Sequence, residues 1–176
     1  MDAIRINRAP VLTLWASVVA ERLGFAHDEA LTLGKVVAGL NAYSKGKALG
    51  LFKPSPPEVR AKRAARERAA RVFHVELLHR AVPVVRTPDG MRALAKDKPV
   101  DPASVQRYLE GKFKAALAPV SDAMLELASS REPERLAAEA YALYEQFRPQ
   151  IPAGESGWGA AGTLSLAAIR KLARGR

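Results

Sequence analysis

Along VLTLWASVVAERL the apolar positions fall at 11, 14, 15, 18, 19 and 23, the spacing of an amphipathic helix. Pro10 suits a first helical turn, where the missing N–H costs nothing, and Gly24 supplies a stop. A second helix is expected over EALTLGKVVAGLNAY, with Asp28 as its cap and Leu31, Leu33, Val36, Val37 and Leu40 on its apolar side. SKGKALGLFKPSPP reads as a linker. Pro56 and Pro57 then open a third helix, expected to run over about residues 57–80 and to enter the core through Val72, Phe73, Val75, Leu77 and Leu78.

Beyond it, Val82, Val84 and Val85 followed by TPDG predict a short strand or hairpin. Asp101–Pro102 marks the start of a helix over ASVQRYLEGKFKAAL. Pro119 is expected to end it and Ser121 to start a further short one. EPERLAAEAYALYEQF forms another helix that stops before Pro149. A Gly/Pro-rich loop, IPAGESGWGAAG, leads to a last helix, LAAIRKLAR, capped by Ser165. The expected fold is mainly α: one compact multi-helix domain over 1–176, with a projecting basic helix and at most one short β-hairpin. Within it, 1–52 form a helical hairpin and linker, 53–82 the basic helix, and 83–176 the hairpin-like segment and C-terminal helices.

Charge changes this picture. Between residues 45 and 71 stand nine Lys or Arg, namely Lys45, Lys47, Lys53, Arg60, Lys62, Arg63, Arg66, Arg68 and Arg71, against Glu58 and Glu67. That stretch carries most of the chain's net +10. At about 100° per residue the positive side chains of the third helix cover most of its circumference, leaving Ala61, Ala65, Ala69 and Val72 as a narrow stripe to pack. A helix so charged is an arm, and polyanions are the partners such an arm meets. Arg63 and Glu67 can pair across one turn, though surface pairs contribute only tenths of a kcal/mol.

Residues 18–33, VVAERLGFAHDEALTL, resemble the helix-turn-helix unit of bacterial DNA-binding proteins. Ala20 stands where that family needs a small residue at the helix crossing, Gly24 where its turn needs a left-handed backbone, and Leu23 and Leu31 would pin the two helices. The second helix departs from the family's pattern, because His27, Asp28 and Glu29 occupy the start that should face DNA. Thr32, Lys35 and Asn41 are its only base-reading candidates. An antiparallel helical hairpin is the competing reading.

Other chemistry is thin. With no cysteine, disulfides, thiolate metal sites and thiol nucleophiles are excluded. HVELLH separates its histidines by five residues, not four, so it is not the zinc-protease pattern, and Glu76 is expected to pair with Arg80. Tyr141, Tyr144 and Phe147 sit at core spacing with Leu136, Ala140 and Leu143. Trp158 reads as an aromatic plug under its loop. No catalytic residue, metal site or cofactor is expected. MDAIRINRAP lacks the layout of a secretory signal, and no apolar run reaches the ~18 residues of a membrane span, so a soluble cytoplasmic protein is the expectation, with nucleoid association compatible with it. Function is expected to be nucleic-acid binding, DNA in preference to RNA, through those nine basic residues and with little sequence dependence. A homodimer is compatible with the alanine-rich helix faces. The alternatives are a helical adaptor docking its arm on an acidic protein, and an enzyme acting on a phosphorylated substrate.

Overall fold

A helix buried all round organises the molecule. In the computed structural model, which describes residues 2–48, 56–69, 71–154 and 160–175, strand β1 (Ala3–Ile6) leads into α1 (Arg8–Arg22), and every residue from Pro10 to Ala20 is buried. Its two hydroxyls are satisfied within the helix: Thr13 Oγ1 donates to the Ala9 carbonyl at 2.9 Å and Ser17 Oγ to the Thr13 carbonyl at 2.8 Å. Trp15 is fully enclosed. Its indole N–H donates to the Ala140 carbonyl at 2.9 Å, and its ring meets Phe147 edge-on at 5.3 Å.

The chain then turns at Gly24, whose φ of +110° suits glycine. The Phe25 N–H reaches the Ala20 carbonyl and the Gly24 N–H the Glu21 carbonyl, the paired bonds of a Schellman stop. Helix α2 (His27–Ala48) runs back along α1. Gly34 is the contact point: a Cβ there would strike Ser17 Oγ and the Thr13 carbonyl oxygen. That contact lies about two turns from the connection, so the two helices stay close over that length.

Helix α3 (Pro57–Ala69) follows, and the expectation of a helix to residue 80 fails here. Arg71 takes a left-handed backbone, and the chain becomes an antiparallel meander: β2 (Phe73–Leu77), β3 (Arg80–Thr87), β4 (Gly90–Ala95) and β5 (Lys98–Pro99), in that order across the sheet. The apolar residues at 73, 75 and 77 alternate as in a strand, whereas in a helix Val75 would stand on the side opposite Phe73 and Leu77, and pairing with the valines of β3 fixes the strand. The expected Glu76–Arg80 pair goes with the helix; Arg80 donates instead to Asn41 at 3.0 Å.

Helices α4 (Pro102–Phe113), α5 (Leu117–Ser129) and α6 (Pro133–Phe147) come next, with a 3-10 turn at 114–116 between the first two. Asp101 caps α4 through the Ala103 N–H. Pro119 does not break a helix; it sits in the first turn of α5, where proline is tolerated. Strand β6 (Gly162–Ser165) pairs antiparallel with β1, and α7 (Leu166–Ala173) starts on the Ser165 hydroxyl, which accepts from the Ala168 N–H. With a two-stranded and a four-stranded antiparallel sheet among the described residues, the fold is mixed α/β. It is neither mainly α nor limited to one hairpin. Trp158 lies outside the described residues.

Helix α2 is the layer between α1 and the meander. Beyond the short β5, the edge of β4 would leave backbone donors exposed to the core, and α2 closes it with side chains. Glu29 Oε2 accepts from the Met91 N–H at 2.9 Å, and Thr32 Oγ1 accepts from the Ala93 N–H at 3.1 Å. The Val100 N–H meets the Ala93 carbonyl from the chain after β5. Buried backbone donors need such partners.

Two substitutions test this packing by chemical denaturation. Gly34→Ala gains about 1 kcal/mol of helix propensity, but overpacking against a backbone carbonyl costs about 1–3 kcal/mol; a net loss is expected. Thr32→Val keeps the shape and orphans the buried Ala93 N–H, with an expected loss of about 1–3 kcal/mol.

Candidate nucleic-acid interface

Helix α3 carries five of the nine basic residues, and the side chains of Arg60, Lys62, Arg63, Arg66 and Arg68 are all exposed. The double proline sets its first turn, and its last turn ends at the left-handed Arg71, also exposed, whose N–H reaches the Arg68 carbonyl at 3.2 Å. Of the expected stripe, Ala61 and Ala65 are exposed, Val72 is half-buried and the side chain of Ala69 lies outside the described residues; Ala64 is half-buried. Helix α3 therefore adds little to the core, and its stability rests on propensity and charge.

Its one described tether is electrostatic. The Asp97 carboxylate, in the β4–β5 turn, lies 3.8 Å from Arg63 Nε and 3.5 Å from an Arg66 terminal nitrogen. All three side chains are more than a third exposed, so the pair of contacts contributes at most tenths of a kcal/mol each. Arg63 thus faces Asp97; the side chain of Glu67, its expected partner, lies outside the described residues. The same turn brings exposed Lys96 and Lys98 beside the arm. These two residues escaped the sequence reading because they lie some thirty positions from the basic tract. The available signal was KDKP between two apolar runs, a tight turn in a charged setting.

Lys53 lies outside the described residues, as do the side chains of Lys45 and Lys47, whose backbone belongs to the last turn and a half of α2. An open groove of about 330 Å³ runs beside that end of α2, lined by Leu40, Tyr43, Ser44, His79, Arg80 and Ala81.

In the segment that resembles a helix-turn-helix, Ala20 is fully buried, Gly24 has the left-handed backbone and Leu31 is buried. The side chains named for base reading have partners inside the protein. Thr32 seals β4, and Asn41 accepts from Arg80. Lys35 places its ammonium 3.8 Å over the Tyr108 ring. Burial lowers the Lys35 pKa, with the nearby Lys112 adding to it, and burial raises that of Tyr108. His27 Nδ1 lies 3.1 Å from Glu21. Glu29 spends both carboxylate oxygens on backbone donors, those of Ala26 and Met91. Glu29, in the first turn of α2, is thus committed to the sheet, while His27 and Asp28 stay exposed.

Among the described residues no group of three or more His, Asp or Glu could hold a metal ion, and no helix is long and apolar enough to cross a membrane. Asp97→Asn is expected to change unfolding free energy by less than about 1 kcal/mol in thermal or denaturant melts, since only exposed pairs are lost. No protein-family model, no curated protein and no solved structure matches this chain.

Proposed function

We propose that the protein binds nucleic acid, duplex DNA in preference to RNA, by laying α3 against backbone phosphates. The carrying observation is that Arg60, Lys62, Arg63, Arg66 and Arg68 all stand exposed on a 13-residue helix that adds little to the core. Arg71, Lys96 and Lys98 extend the positive surface at its end. Arginine's planar fork suits phosphate oxygens, and charges spread around a helix touch the backbone without selecting bases. Recognition is therefore largely independent of sequence. The hairpin of α1 and α2 serves as the brace for the arm, and Lys45, Lys47 and Lys53 prolong its contact. With this partner the protein works in the cytoplasm, at the nucleoid.

A second reading has one observation in its favour. Asp97 already sits on Arg63 and Arg66, so a carboxylate can occupy their site. An acidic protein partner would use the same contact.

Titration of labelled duplex DNA at several salt concentrations separates the two. Neutralising about five phosphates predicts a log–log slope near −4.5. The triple variant R60E/R63E/R66E should abolish binding while the circular dichroism spectrum is unchanged, and Asp97→Asn should tighten it by freeing two arginines. No binding at low salt, or binding without salt dependence, would sink the proposal; an acidic protein that stays bound to the chain after nuclease treatment would then support the second reading.

A further inference from the structure

The four-stranded sheet has two edges, and the protein treats them differently. The β4–β5 edge is sealed by Glu29, Thr32 and the Val100 N–H. At the other edge lies β2, with His74 and Glu76 exposed. The register shows which backbone groups β2 leaves over. Leu77 and Arg80 flank a two-residue turn in which Leu78 and His79 have φ of +49° and +61°, the turn whose flanking residues exchange both hydrogen bonds. Alternation then makes Val75–Val82 and Phe73–Val84 the bonded pairs. Pro83, opposite His74, has no N–H to give, which fits. The N–H and C=O groups of His74 and Glu76 therefore point away from β3. Among the described residues none is recorded as bonding to them.

Native edges are guarded by charged side chains, lysine above all, by proline, a bulge or a covering element. FHVEL carries no lysine, proline or bulge, and its one fixed charge is Glu76. Its pattern is instead self-complementary. If a second FHVEL is laid antiparallel with Val75 on the two-fold axis, Phe73 faces Leu77 and His74 faces Glu76, twice over. His74 and Glu76 are also the residues whose backbone groups point outward, so each facing pair exchanges two backbone hydrogen bonds. Both side chains of the pair lie on one face of the strand, because they are two residues apart.

We infer that β2 pairs with β2 of a second copy of this chain, joining two four-stranded sheets into one across a two-fold axis. The assembly closes at two copies, because among the described residues α2 occupies the far edge of each four-stranded sheet. It also brings two α3 arms together: each ends four residues before β2, so the two strand starts lie about 14 Å apart along the strand direction.

Sedimentation equilibrium on the full chain, without nucleic acid, tests this independently of what α3 binds. The wild type should move from monomer to dimer with rising concentration. His74→Pro removes only an outward N–H and leaves the β2–β3 ladder its bonds; it should remain monomeric with an unchanged circular dichroism spectrum. Should that variant misfold, charge decides: H74E sets two carboxylates opposite each other and should weaken the dimer by about tenfold or more. H74E/E76H restores the complement and should recover it. A wild type that stays monomeric at its highest soluble concentration overturns the inference. So does a dimer indifferent to H74E, or one that the double variant fails to restore.

Discussion

Everything in this fold follows from a helix with no solvent face. Residues 10–20 of α1 are buried on every side, so α1 cannot lie on a surface and must be surrounded. The rest of the chain does the surrounding: α2 along one flank, then α4, α5 and α6 around the others. Burying each large apolar side chain is worth about 1.5–3 kcal/mol, and α1 contributes Val11, Leu12, Leu14, Trp15, Val18 and Val19. The polar costs are met locally, by hydroxyls bonding back to their own helix and by the indole reaching Ala140. Close approach is met by Gly34, the one position of α2 where a methyl would meet Ser17 and Thr13.

This central helix also explains where the sheets sit. Helix α2 is covered by α1 on one side and needs apolar cover on the other, which Val82, Val84, Met91 and Ala93 of the meander give it. The four-stranded sheet is thus a second layer laid on the hairpin. The short β1–β6 ladder has a different role. It ties the strand before α1 to the strand before α7, with the Leu166 N–H bonded to the Asp2 carbonyl.

The helices were legible because their signals are local. Pro10 and Gly24 bracket α1, Asp101 and Ser165 cap α4 and α7, and the spacing of Leu136, Ala140 and Leu143 marks α6. Of the strands only the β3–β4 hairpin was legible, through its valines and the TPDG turn; the causes of the others lie elsewhere in the chain. Four residues of β1 carry no period of their own until 162–165 lie beside them. Residues 73–77 alternate with a strand's period, but five residues directly after a long basic helix were read as its continuation until β3 lay beside them. Pro119 misled for another reason: the same residue stops a helix from inside and is tolerated in its first turn. Of the candidate interface, the charge and exposure of α3 were readable from composition. Its contact with Asp97, and the commitment of Thr32, Lys35 and Asn41 to internal partners, depended on a sheet that the sequence pattern had not disclosed.

The exposure of α3 has a consequence for the chain as a whole. A protease specific for lysine and arginine meets a run of exposed sites between Arg60 and Arg71, in a segment that adds little to the core. Cutting there yields one piece with β1, α1 and α2 and another with the meander, α4–α7 and β6. Neither piece owns a core. The first holds the buried helix with one of its flanks, α2, and the second its other flanks, α4, α5 and α6, while β1–β6 and the Glu29 and Thr32 bonds stitch across the cut. The nicked molecule is therefore two interlocked fragments of one fold, each the template on which the other closes.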